Sequence, residues 1–372
     1  MAVVELGWTI RTGYAGDIIC KRQLPSLMLQ GETVDGNFAS LLTAADALET
    51  GEVQPMWTFD SVMHHMDRHV EHLAHIMGRE LHCACDETLV LVVPEMWHER
   101  FDFMRQLFVA VLESSCASAL YCFRPSIAWT FSSGKTTGVV LDVGHNHATA
   151  AAVVDGYVLR DTVATSTTAG GAVTRSLQDM IGLARLLSLE RVNRYRKPEV
   201  QAWAMHDLVG DIKRLSCFVG SGGSGISAGA GSHELRAPDG SSLTVEALHR
   251  TAPYEVLFST SQRDSVSLPD LLVSCVGRLD PEWRQQSVTH ILCGGTSRAS
   301  GFRERLLKEV QLRDSCYFRY EREGALKAKS SIDGAWVGAS LATDNSSFAS
   351  LWVTRADMEE EGDSVLYRKL FY

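Results

Sequence analysis

The sequence predicts an α/β protein of two related halves that close on a ligand cleft. Three observations carry this reading. Residues 136–142 form a β-branched apolar run that stops at Asp142-Val143-Gly144, the pattern of a buried strand entering a tight turn. The step is echoed near the start of the chain, where Glu5-Leu6-Gly7 follows Val3 and Val4 with the acid and the glycine at the same spacing. A chain of 372 residues at 45% apolar content also has enough material for two domain cores.

Composition narrows the function classes. The net charge of -10 argues against a general nucleic-acid surface, which needs clustered Lys and Arg, so direct DNA binding is not expected. No apolar run approaches the ~18 residues of a membrane span. Glu5, Arg11 and Asp17 stand where a signal peptide would have an apolar core, so an intracellular protein is expected. Nine scattered cysteines without a framework spacing point to reduced thiols of the cytosol or nucleus.

In chain order, residues 3–14 read as a strand, a turn near Gly7, and a return strand through Ile10 and Arg11, closed by the GYAGD segment at 13–17. Residues 58–78 predict one helix, because Phe59, Val62, Met63, Met66, Val70, Leu73 and Met77 recur at three and four. His65, His69 and His72 flank that stripe, and His82, Cys83 and Cys85 follow; the spacing admits a shared metal or a solvated histidine face, with no four-ligand pattern. Residues 88–93 predict a buried strand, 101–112 an amphipathic helix, and 121–133 the helix that joins the two domains.

The β-meander of 134–160 comes next: 136–142, 148–154 and, after an Asp155-Gly156 turn, 157–160. Its first turn carries Asp142 and Gly144, fit to let backbone N–H groups approach an anion, or it is a structural hairpin with no ligand. A helix starts at Pro198 with Trp203, Leu208, Ile212, Leu215 and Phe218 as its buried stripe. Residues 220–232 read as a Gly/Ser-rich loop, Pro238-Asp239-Gly240 as a hairpin turn, and 290–310 as a buried strand, a Gly-Gly-Thr turn and a helix opened by Gly301.

Several of these segments resemble the actin and actin-related protein family, whose fold is shared with Hsp70 and sugar kinases. SGKTTGVVLD at 133–142, DIKRLSCFV at 211–219, HILCGGTSRASGF at 290–302 and the whole of 331–372 carry the likeness, which extends over essentially the entire chain. It implies an actin-like two-domain fold with duplicated ribonuclease-H-like halves around a central cleft. Residues 1–129 plus 333–372 would form the small domain, with a shortened outer subdomain at about 26–52, and 130–332 the large one.

The resemblance implies ATP or ADP in that cleft, with Mg2+ only alongside nucleotide, and nucleotide-binding residues Arg11, Asp142, Gly144, Gly170, Lys213, Gly294, Gly295 and Thr296. Several departures weaken that expectation. Trp8 stands where small residues are wanted beside the phosphates, and Arg214 replaces an acid that would hold the ribose. Ile332 stands where a basic residue would stack on adenine, with Lys327 and Lys329 nearby. Pro125 and Thr149 occupy the places of the glutamine and histidine that position the attacking water, and proline offers no polar side-chain group for that task. ATP hydrolysis is not expected from such a chain.

Filament contacts also look reduced: the subunit-docking loop of the outer subdomain and the apolar plug after Phe258 are both shortened, so self-polymerisation is not expected. Gly134, Thr136, Tyr157, Val337, Leu341 and Leu351 would line a hydrophobic slot for a partner helix, with Asn345 replacing an apolar residue, or are in part plain core residues. The expectation is a scaffold subunit of a nuclear chromatin-remodelling or histone-acetyltransferase complex. It would hold a long helix of a large scaffold or ATPase subunit, with actin as a further partner. A cytoskeletal subunit of a dynactin-like or actin-regulating assembly in the cytoplasm, or an active ATPase of the same fold, are the alternatives.

Overall fold

Strand Ala2–Glu5 opens with three fully buried residues in a row because it is an interior strand of a sheet covered on both faces. The computed structural model describes residues 1–29, 38–47, 53–83, 87–222, 231–236, 242–259, 266–285, 289–314, 327–328 and 333–370. In the small domain the sheet order is Val353–Thr354, Ala119–Phe123, Thr88–Val92, Ala2–Glu5, Thr9–Tyr14, Arg22–Pro25. The strand Thr88–Val92 runs parallel to both its neighbours, and the Ala2–Glu5/Thr9–Tyr14 pair is an antiparallel hairpin.

The large-domain sheet repeats that plan. Gly138–Val143 and Ala148–Val154 form the hairpin, Tyr157–Val158 and Ala164–Ser166 pair with the second strand, and His290–Cys293 lies parallel beside the first. Lys327–Ala328 adds a further parallel strand. The duplication read from the two acid-x-glycine steps is therefore present in the topology, and the large-domain sheet turns Val139, Leu141 and Leu292 into one hydrophobic cluster and Val140, Val153, Ile291 and Cys293 into the cluster of the small-domain sheet.

The domains are joined where helix Pro125–Ser132 crosses helix Gly334–Thr343. Pro125 starts the first of these at the position where a missing N–H costs nothing. Tyr121 and Phe123, expected in that helix, belong instead to strand Ala119–Phe123, whose five residues are all buried. A Cβ on Gly338 would sit on the Ala128 carbonyl and one on Gly334 would sit on the Trp129 ring, so two glycines four apart let the helix axes meet closely.

The outer piece packs where chain order does not suggest. Leu29, Leu41, Leu42, Ala45 and Val53 share one hydrophobic cluster with Val200 and Ala204 of the large-domain helix Pro198–Ser216. Asp46 Oδ1 accepts from the Arg196 and Lys197 N–H groups at 2.8 and 2.9 Å, and Lys197 Nζ donates to the Ala45 carbonyl at 2.9 Å. Trp203 Nε1 donates to the Val53 carbonyl at 3.2 Å. The expected docking loop of that piece, most of the Gly/Ser stretch, the 238–240 turn, residues 260–265 of the plug segment, Lys329 and Ile332 lie outside the described residues.

Three local expectations are corrected. The helix expected over 58–78 is two, Phe59–His64 and Met66–His75, parted at His65 and followed by a π-helical turn Ile76–Glu80. His69 and His72 do not form a solvated face: both are buried against Trp57, whose Nε1 donates to His72 Nδ1 at 3.3 Å and whose ring meets His69 edge-on at 4.9 Å. Burial pulls the His72 imidazole down to about 3, so it is neutral at neutral pH. Trp57 lies before the helix and folds back over it, which periodicity does not reveal. Among the described residues no group of three or more His, Cys, Asp or Glu is placed to hold a metal ion. Leu215, assigned to the buried stripe of helix Pro198–Ser216, is 69% exposed because the last turn faces outward at the cleft rim, while Leu208 and Ile212 are buried as expected.

No helix among the described residues is long and apolar enough to cross a membrane. Because the domain crossing has no room for a methyl group, Gly338→Ala is expected to lower unfolding stability by about 3 kcal/mol, read from urea midpoints, while Gly210→Ala, with open space around it, is not.

Candidate nucleotide cleft and partner groove

Two hairpins face each other across the cleft, one turning between paired residues Glu5 and Arg11 and the other between Asp142 and Thr149. A cavity of about 1080 Å³ is lined by both, and by Pro125 and Thr149. Trp8, at the tip of the small-domain hairpin, stacks on His145 of the large-domain hairpin with ring centroids 4.0 Å apart and planes 21° apart. His206 lies 5.0 Å and Trp203 6.2 Å from the same indole. Four aromatic rings thus join the domains where the resemblance puts the phosphates, and a close ring pair contributes roughly 0.5–1.5 kcal/mol beyond its area. Burial pulls His145 to about 3 and His206 to about 4, so the stack is uncharged at neutral pH.

The acids gather at the hairpin bases. Asp142 accepts from Trp129 Nε1 at 3.3 Å, and burial, with the Glu5 charge adding to it, pushes its carboxyl up to about 7. Glu5 is raised in the same direction by burial, and its Oε2 is buried without a hydrogen bond among the described residues. Arg11, expected to face phosphate, is ion-paired on both sides, to Glu5 at 3.1 Å and to Asp333 at 2.7 Å. Asp333 immediately precedes the crossing helix Gly334–Thr343, so this arginine ties the hairpin to the domain joint.

The glycines expected to face nucleotide are brought together, and part of their hydrogen-bonding capacity is used internally. The Gly144 carbonyl accepts from Gly170 N–H at 3.0 Å and from Thr296 Oγ1 at 2.8 Å, and the His145 carbonyl accepts from Gly171 N–H at 2.7 Å. The first turn of helix Gly170–Ile181 is therefore satisfied by the opposing loop. Gly170 has no room for a Cβ against Thr296, and Gly294 (φ +85°) has none against Asp142 and Val143, whereas Gly295 faces open space. Lys213 Nζ donates to the Gly170 carbonyl at 2.9 Å and to Thr174 Oγ1 at 2.8 Å; burial pulls it down to about 8.

The slot residues flank the domain crossing. Gly134, with φ +71°, ends the connecting helix, and the Thr136 carbonyl accepts from Gly156 N–H at 2.8 Å beside the exposed Tyr157. Val337 and Leu341 lie one turn apart on the crossing helix, where Val337 is half-buried and Leu341 is 46% exposed. Leu351 closes the following 3₁₀ turn, half-buried, and Asn345 caps that turn by accepting from Ser347 N–H at 3.0 Å. An exposed Tyr and Leu beside half-buried aliphatics leave apolar surface at this joint.

A family model described as Actin matches residues 1–371. The chain belongs to the actin family. It is similar to Actin-related protein 4 of Oryza sativa subsp. indica and to Actin-related protein 4 of Oryza sativa subsp. japonica, each 29% identical over 291 residues. The match covers 68% of this chain and 64% of each relative, so the chain spans less than two thirds of the length of those relatives.

Within the actin family the nucleotide lies between the two hairpins, and there sequence reasoning placed Trp8, Asp142 and Gly144 but not their partners. His206 and Trp203 lie on the later helix Pro198–Ser216 and Asp333 is 322 residues from Arg11; the helical stripe marks Trp203, but no local pattern marks His206 or Asp333. The neutral stack has a pH consequence. His145 and His206 titrate lower in the folded chain than their ordinary value of ~6.5, so below that pH the unfolded chain takes up protons the fold refuses. Stability is expected to fall as pH drops from about 6.5 towards 4, by roughly 2 kcal/mol per histidine at pH ~5. Denaturant midpoints of the wild type against His145→Gln/His206→Gln should show a shallower acid slope in the double variant.

Proposed function

We propose that this actin-family chain is a non-polymerising binding subunit whose cleft has lost ATP turnover and whose joint groove holds a helix of a larger partner. The observation that carries the reading is the Trp8–His145 stack. An indole and an imidazole in van der Waals contact between the hairpins occupy the ground a terminal phosphate needs. The residues around them do not fit a magnesium–triphosphate either. Arg11 is neutralised by Glu5 and Asp333, and Gly170 and Gly171 direct their N–H groups to loop carbonyls. Phosphoryl transfer depends on positioned charge and an oriented nucleophile, and Pro125 at the cleft wall orients none.

The groove supports the binding half of the reading. Tyr157 and Leu341 are exposed and Val337 and Leu351 half-buried around the domain crossing, apolar surface of the kind an amphipathic helix covers. Similarity to Actin-related protein 4 favours the actin-related branch, and we place the chain in the nucleus as part of a chromatin-remodelling or histone-acetyltransferase assembly.

Purified chain is expected to release phosphate from ATP no faster than a heat-killed control and to stay monomeric in polymerising salt. Turnover that Asp142→Ala abolishes, or long filaments by electron microscopy, would overturn the proposal. In affinity purification from nuclear extract, a helicase-type ATPase should accompany the wild type. The Leu341→Asp/Tyr157→Asp variant should lose it while keeping its thermal midpoint. Recovery of microtubule-motor adaptors instead would place the chain in the cytoskeleton.

A further inference from the structure

Beyond the filled phosphate ground, most of the cavity stays open, and its large-domain wall is basic. Lys213 and Arg214 end helix Pro198–Ser216, Arg250 ends the short helix Ala247–Thr251, and Arg298 sits in the 3₁₀ turn after Gly295; all four line the cavity. Backbone hydrogen bonds tie these three segments together. Phe218 N–H donates to the Arg250 carbonyl at 2.9 Å, Val219 N–H to the Ser300 carbonyl at 2.8 Å, and Arg250 Nε to the Ser216 carbonyl at 2.9 Å.

The acids nearby are already engaged. Arg191 is ion-paired to Asp207 and to Asp211, and Asp211 also takes Arg214. Among the described residues Lys213 meets only a carbonyl and a hydroxyl. Arg250 meets two carbonyls and the Phe218 face, and Arg298 meets no carboxylate among the described residues. A helix C-terminus explains cations in its own last turn. Arg250 stands in the last turn of its own short helix and Arg298 in that of its 3₁₀ turn, but this does not explain why three separate segments of a chain with net charge -10 bring their cations to one cavity wall.

We propose that this wall is an anion site for a small, multiply phosphorylated compound, held by Lys213, Arg250 and Arg298 where the resemblance would put a purine. Guanidinium forks suit phosphate oxygens, and Lys213 supplies a point charge that meets no carboxylate among the described residues. The polarity of the cleft is then inverted relative to an ATP site: acids at the hairpin bases, cations on the wall that should receive the base. The assignment is independent of whether the groove holds a partner.

Isothermal titration of the full chain with sodium tripolyphosphate, ATP and adenosine tests it. Tripolyphosphate and ATP should bind with similar affinity, adenosine should give no heat, and raising NaCl should weaken both binders. Arg298→Glu, a change at an exposed position, should raise both dissociation constants about tenfold or more, equivalent to ~1.4 kcal/mol, while Arg105→Ala, at an exposed ion pair outside the cavity, leaves them unchanged. Circular dichroism checks that each variant is folded. The site is overturned if tripolyphosphate does not bind, if adenosine binds, if ATP binds at least tenfold tighter than tripolyphosphate, or if Arg298→Glu binds as tightly as Arg105→Ala. ATP turnover without a response to Arg298→Glu would remove both this site and the proposed function; turnover with that response would remove only the latter.

Discussion

The contact between Trp8 and His145 governs how the rest of the cleft can be read. An actin-type cleft opens and closes around a charged ligand, so its hairpins normally present backbone N–H groups and cations to one another across solvent and phosphate. Here the hairpin tips meet directly through an uncharged ring pair. Once that contact exists, the neighbouring polar groups have to find partners within the protein, and apart from Glu5 Oε2 those at the hairpin bases do so. Arg11 is closed between two carboxylates, and the first turn of helix Gly170–Ile181 is capped by the carbonyls of the opposite loop.

The outer rim is consistent with this inner closure. Asp46 capping the Arg196 and Lys197 N–H groups and Val53 receiving Trp203 Nε1 put further protein–protein bonds across the mouth. None of these needs a ligand. Hydrophobic side chains of the outer piece sit in the large domain's cluster, so opening the mouth would expose Leu41, Leu42 and Ala45 to water as well as break polar contacts.

The fold was legible wherever its signal was local. The run of 136–142 with its acid and glycine, the same step at Glu5 and Gly7, and the Gly-Gly-Thr turn before a helix all need only a few consecutive residues to be recognised. The site was half legible: Trp8 stood out as too large for a phosphate loop, yet nothing nearby said that it would stack on His145 or be backed by His206 and Trp203. Arg11 looked like a phosphate ligand because its carboxylate Asp333 is 322 residues away. His69 and His72 looked solvent-facing on a helical wheel, because the wheel does not include Trp57 folding over that flank. Each miss is a tertiary contact overriding a correct local pattern.

The joint connects the two functional regions. Helix Pro125–Ser132 begins with a residue that lines the cavity and is followed at its other end by Gly134 beside the groove. It is crossed by Gly334–Thr343, which carries Val337 and Leu341, and the glycine contacts at Ala128 and Trp129 leave the two helices no slack to slide. The cleft and the apolar surface at the joint therefore share one closely packed pair of helices. In an actin whose closure follows nucleotide state, the groove would change with hydrolysis. Here Trp8 and His145 at the hairpin tips and Asp46 at the rim hold the two sides of the cleft together through protein contacts alone.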